Sequence, residues 1–356
     1  QYAPLAFLSY LVLYAGFGYD PFYFHMFSLL LHIGCVCLVW KLISSLLRVH
    51  GGVSEKQILY VNFITTLLFA VHPINVEAVA WISALKVLLY AFFYLLGLLC
   101  YLRYIRTSKI FYYVLTIGCF LCSFWGKEQA VTFPLALLIV DWFTNRNMKN
   151  LEVWSEKMSF LIMAFFFGII TVLSQGEGPY EMIFPLYQRL LFGCFALVEY
   201  ITKSLLPVNL NFFYPFPIVL GEEPPLHYYL YPVVLLFLMG WIIAYRNNRY
   251  LVFGVLLFLV NLLFSIHLFN MSRHAIVADR YMYLSYVGIA FLIANGIWWL
   301  RKRLSYFKAA LVFLFFYCFF LSVYTFHYTK KWENTTMVKK YTKEVLEKRL
   351  NGSNHL

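Results

Sequence analysis

A histidine, a carboxylate, an indole and an ammonium share one short stretch, HPINVEAVAWISALK, as His72, Glu77, Trp81 and Lys86. Imidazole and carboxylate together can move a proton or hold a divalent metal. An ammonium pairs with phosphate, and an indole stacks on sugar or lipid. Pro73 lacks an amide hydrogen and restricts the residue before it, so a helix arriving from Val71 must stop. The spacing predicts that a helix restarts over Ile74–Ile82, with Glu77 and Trp81 at i and i+4 on one face. Apolar runs, Ile58–Val71 and Val87–Tyr101, bracket the stretch. Polar groups at a membrane boundary face water, so this stretch reads as one wall of a catalytic cavity on the non-cytoplasmic face of a membrane enzyme.

Other polar residues fall at the same boundary: Asp20, His25, Lys127, Glu128, Glu199, Asp279, Arg280 and Tyr281. Charge near membrane depth is costly and faces a cavity or a partner. Arginine and lysine bind phosphate, so Arg280, Lys127 and Lys86 are candidate ligands of a phosphorylated lipid. Glu77 is the candidate base, with His72 to orient it. A divalent metal is the candidate cofactor, and Asp20 and Glu77 are its candidate ligands. Blander roles compete. His25 and His32 read as helix-packing residues, Glu199 and Lys203 as an i,i+4 ion pair, and Asp279-Arg280 as the start of a helix with its acid at the positive end.

The elements that must position these groups are membrane helices. Of the residues, 62% are hydrophobic and only 12% charged, about half the charged fraction of a soluble protein. Mean hydropathy of +0.73 and repeated apolar runs near 20 residues predict an all-α polytopic membrane protein of about 10–11 spans. The period-two alternation of a membrane barrel is absent. A net charge of +12 sits in short loops between spans, which is orientation information and not a nucleic-acid footprint. The cysteines lie inside apolar runs and read as small buried hydrophobes, including the CxxC of Cys119 and Cys122. A transporter would show an internal repeat, and none is evident.

Charge placement sets the topology. Lys41, Arg48 and Lys56 put the end of Phe22–Leu47 in the cytoplasm, and the following spans alternate. Leu190–Leu206 carries Glu199 and Lys203. Were it to cross, Arg246, Arg249 and Arg301-Lys302-Arg303 would all lie outside, so it reads as re-entrant or interfacial. Before the tail, only Lys86, Lys127, Arg189, Lys203, Arg273 and Arg280 then lie in or beside outer loops. The membrane domain covers residues 1–329, and residues 330–356 form a basic outer tail. Acceptor sequons stand at Asn270, Asn334 and Asn351.

Four segments, YAPLAFLSYLVLYAGFGYDPFYFHMFSLLLH, AVHPINVEAVAWISALKVLLYAFFYLLGLLCYLRY, GKEQAVTFPLALLIVDW and DRYMYLSYVGIAFLIA, resemble the membrane region of the transmembrane and tetratricopeptide-repeat O-mannosyltransferases and their bacterial relatives. The resemblance runs from Tyr2 to about Trp332, and HPxxxEAVAW, KExAVTxP and DRYxYL are specific as a set. It implies a GT-C type fold and transfer of a mannose-like sugar from a polyprenyl or dolichyl phosphate to a protein or glycan hydroxyl. It also implies catalytic roles for Glu77, His72 and Glu128, and donor-phosphate contacts from Arg280, Lys127, Lys86 and Tyr281. That family commonly has arginine where Lys86 stands. Its first span and first acidic outer loop would precede Gln1, and its repeats would follow the tail. The implied location is the endoplasmic reticulum membrane of a eukaryote or the inner membrane of a bacterium. The alternative reading is a non-catalytic structural subunit of a larger membrane complex.

Overall fold

The computed structural model describes residues 3–174, 184–267 and 275–353. The sequon at Asn270, Arg273 and the whole glycine-rich loop 175–181 lie outside the described residues. The described residues form fourteen α-helices in series. They are α1 Pro4–Phe17, α2 Pro21–His50, α3 Glu55–Val71, α4 Val76–Ala80, α5 Leu85–Thr107, α6 Ile110–Gly126 and α7 Phe133–Phe143. There follow α8 Leu151–Ser174, α9 Leu186–Leu205, α10 Leu230–Ala244, α11 Arg249–Leu262, α12 Met282–Trp299, α13 Leu304–Thr329 and α14 Thr335–Ser353. Among the described residues, extended pairing is limited to one isolated antiparallel bridge, Tyr214 with Val277.

Local chemistry explains the boundaries. Asp20 caps α2 by accepting from Phe22 N, and Pro21 takes the first helical position, where a missing amide hydrogen costs nothing. The helix ends at Gly51, whose φ of 77° a Cβ would strain. Ser54 caps α3 through Gln57 N at 3.2 Å. Thirty residues make α2 about 45 Å long, ample for a bilayer core of about 30 Å.

With their flanking turns, α2, α5, α8, α10, α12 and α13 are each long and apolar enough to cross a membrane. A seventh candidate span is α3 joined to Pro73–Ala80 across a 51° bend. Shorter apolar helices are α1, α6 and α11. This is an all-α integral membrane protein. Its centre is packed from α2, α3, α5 and α12, through Cys35, Val39, Val61, Leu68, Ala91 and Ala290. Outer helices present apolar surface, as Phe237 and Phe313 do at 76% and 71% exposure, which suits contact with lipid.

Two ends can be told apart. At one, Thr325 Oγ1 donates to Val71 O (2.8 Å), Tyr10 to Ile82 O (2.7 Å) and Gln129 to Ser265 (2.8 Å). At the other, Asn145 donates to His50 O (3.2 Å), Arg249 to Trp142 O (2.7 Å), and Tyr60 meets Trp298. The basic loops gather at this second end. There Arg146 grips Glu156 at 2.6 and 3.0 Å, while Asp141 and Lys157, both wholly buried, pair with each other and with Tyr101.

α9 packs on α10 and α12 and reaches α13, where Tyr317 donates to Leu205 O at 2.9 Å. Its Gly193 is packed against Ile266 O, just past α11, and its Tyr200 hydroxyl accepts from Ala278 N at 3.2 Å. Lys203, near its C-terminus, lies 3.9 Å from Asp279. Of the described helices, α9 is not among those long and apolar enough to cross a membrane.

Candidate functional site

The site is built where α3 breaks. His72 leaves helical geometry, and its Nδ1 accepts from Ile74 N at 3.2 Å, which places the ring proton on Nε2. The imidazole is buried and packed on Tyr286, with ring centroids 4.2 Å apart. Asn75 Nδ2 donates back to Phe69 O at 2.7 Å. The break therefore satisfies its own backbone. The expected single helix over Ile74–Ile82 is instead three pieces, α4 between 3-10 turns Pro73–Asn75 and Ile82–Ala84. Trp81 is extended and outside α4, because five helical residues are all that fit between the two turns.

α4 carries Glu77 to complete burial. Its Oε2 accepts from Arg280 N at 2.7 Å, and its Oε1 accepts from Arg280 Nη1 at 2.5 Å. Arg280 stands in the turn Asp279–Tyr281 that opens α12. Its guanidinium lies over Trp81 (5.4 Å to the ring centre) and Tyr281 (5.3 Å). Lys127 follows α6 in extended backbone, and its buried Nζ is 4.6 Å from the same Tyr281 ring. One aromatic ring thus carries two cations. Lys86 is half-buried in the first turn of α5, and Glu128 is half-buried at the start of the turn Glu128–Thr132.

A second cluster adjoins the first through Asp279. Its wholly buried carboxylate accepts the Tyr214 hydroxyl, at 3.0 and 3.1 Å from the two oxygens. Tyr214 Oη in turn accepts from Asn211 N at 2.6 Å. Lys203 Nζ lies 3.6 Å from the Tyr214 ring centre, 3.9 Å from Asp279 and 3.5 Å from Glu199. Burial first, and then the charge of Asp279, hold the Tyr214 hydroxyl well above the usual tyrosine range. It stays protonated and donates at neutral pH.

The arrangement is suited to an oxyanion. Arg280 spends its backbone amide and one guanidinium nitrogen on Glu77. Its Nε and Nη2 donate to no described residue, and the side chain remains 22% exposed. Two such donors on a fixed planar fork match a phosphate. A metal fits less well. Asp20 is exposed and caps α2, both oxygens of Glu77 are taken, and among the described residues no group of three or more His, Cys, Asp or Glu is placed to hold an ion.

Sequence comparison relates the chain to several named proteins. The chain is 34% identical over 160 residues to the protein O-mannosyl-transferase TMTC2 of Homo sapiens, a stretch covering 43% of this chain and 18% of that protein. It is 30% identical over 184 residues to tmtc2 of Xenopus laevis, covering 49% of this chain and 21% of that one. For Tmtc3 of Drosophila melanogaster the identity is 28% over 172 residues, or 43% and 18% of the two chains. Over these stretches the chain is similar to protein O-mannosyl-transferases. The matched stretch is about a fifth of the length of each of these relatives. No family profile matches the chain, and no solved structure does.

Set beside the O-mannosyl-transferase motifs, the structure joins Glu77, Arg280, Tyr281 and Lys127 in one contact network, with Lys86 and Glu128 opening the adjoining elements. It ties His72 to the helix break. Three further members, Lys203, Tyr214 and Asp279, were given no catalytic or binding role from the sequence. Lys203 was legible as a charge in an apolar stretch, but its i,i+4 partner Glu199 explained it too readily. Asp279 serves as a partner for Tyr214 and Lys203 and not merely as a helix-start acid. Tyr214 carried no signal, being one aromatic among many.

Proposed function

We propose that this chain contributes the donor-phosphate site of a GT-C type glycosyltransferase in the endoplasmic reticulum membrane. The enzyme moves a mannose-like sugar from a polyprenyl or dolichyl phosphate to a protein or glycan hydroxyl on the extracytoplasmic face. The observation that carries the reading is the Arg280 fork, anchored by Glu77 and with Nε and Nη2 donating to no described residue. Attack by the acceptor hydroxyl on the anomeric carbon forms the new glycosidic bond and breaks the bond to the lipid phosphate, with inversion. Arg280 neutralises the phosphate as it leaves, with Lys127 and Lys86 alongside. Glu77 is better placed to hold Arg280 than to take a proton, since both of its oxygens already accept hydrogen bonds. The acceptor's proton then goes to another carboxylate, Glu128 or an acid outside this chain.

The test is sugar transfer by the full-length protein from labelled polyprenyl-phosphate mannose to a serine- and threonine-containing peptide. Arg280→Lys keeps the charge but loses the fork, and is expected to lose at least about tenfold in kcat/KM for the donor. Absence of transfer by the wild type, with co-purification of other membrane subunits at fixed stoichiometry, would establish the structural-subunit reading instead.

A further inference from the structure

We infer that Tyr214 is a positioning residue that, together with Glu77, sets the orientation of Arg280. This rests on the reading that Arg280 binds the donor phosphate.

The segment leading into Arg280 is tied down residue by residue. Ile276 N donates to Tyr214 O at 2.9 Å, and Tyr214 and Val277 form an antiparallel bridge. Ala278 N donates to the Tyr200 hydroxyl of α9 at 3.2 Å. Asp279 accepts the Tyr214 hydroxyl and faces Lys203. The next residue, Arg280, is held by Glu77 from α4. Tyr214 alone therefore fixes this segment at two points, by its carbonyl and by its hydroxyl. The loop reaches Arg280 by a second route as well. Phe212 stands edge-on to Trp81 at 5.2 Å, and Trp81 lies beneath the guanidinium. A shift of the loop over residues 206–225 must then move both the turn that bears Arg280 and the ring under it. The inference assigns this loop, with α9, the task of holding the phosphate donors in register.

Tyr214→Phe keeps the ring over Lys203 and removes the hydroxyl. Hydrogen exchange without any ligand tests the clamp by itself: the amides of residues 276–281 should exchange at least about tenfold faster, by a larger factor than the amides of the α2–α5 core do. In the wild type, those amides and the ones at 211–214 should share one opening rate. Transfer assays test the consequence, with donor KM raised about tenfold and kcat held within twofold. Unchanged exchange at Arg280, separate opening rates in the wild type, or a loss confined to kcat would each overturn the inference. Faster exchange in a protein that binds no polyprenyl-phosphate mannose would leave the clamp standing and remove the proposed function.

Discussion

Arg280 and Glu77 stand 203 residues apart in the chain and share two hydrogen bonds, one to the arginine backbone and one to its guanidinium. The backbone bond decides its meaning. A surface ion pair joins only side-chain tips and contributes little. Here the carboxylate fixes the turn at the head of α12, so it sets where the guanidinium points. Glu77 has no exposure, and breaking a pair at such a site leaves a buried charge without compensation.

Glu77→Gln should therefore cost stability as well as activity. Because Arg280 keeps 22% exposure, the loss is expected near the lower end for buried pairs, about 3 kcal/mol. Thermal unfolding in detergent reads the first effect, and donor KM reads the second, with a rise of at least about tenfold. A variant with wild-type stability and KM would show that the pair does not anchor the turn.

Helix packing places Lys127. A Cβ on Gly126 would lie 2.8 Å from Tyr90 N and 3.2 Å from its Cα, both backbone atoms that cannot turn aside. Gly126→Ala is expected to push α6 from α5, cost about 1–3 kcal/mol and displace Lys127. Gly118→Ala, on the same helix with nothing within 4 Å, should be neutral or slightly stabilising. Equal unfolding midpoints for the two variants would contradict this packing.

The buried network at the opposite end offers a control. Asp141→Asn leaves Lys157 buried with one carboxylate partner fewer, and about 3 kcal/mol of stability should be lost. Sugar transfer per folded molecule should stay within twofold, since the network lies at the other end of the bundle. A tenfold loss of specific activity with stability intact would link the two ends functionally.

Topology can be checked directly. Leu186 opens α9 and Leu206 follows its end, at 59% and 61% exposure. Cysteines introduced at both should react with a membrane-impermeant maleimide from the same side of the bilayer. Labelling from opposite sides would make α9 a span and invert every helix after it.

Much of this was legible in the residues alone. Apolar runs and basic loops specify membrane helices and their alternation, because both depend on local hydropathy and charge and on nothing distant. Pro73 likewise specified a break at His72, since a missing amide hydrogen acts on its own turn. The charge of Glu199 and Lys203, with the basic clusters beyond, is also a local signal, and it is what makes a non-crossing α9 the expectation. Contacts across the bundle were of another kind. Whether Glu77 is a free base or an anchor depends on Arg280, and whether Asp279 caps a helix or holds a loop depends on Tyr214. Such partners are chosen by how helices pack and which backbone donors they bring together. Burial then makes the choice binding, because a charge or hydroxyl enclosed away from water must take the partner that the tertiary structure presents.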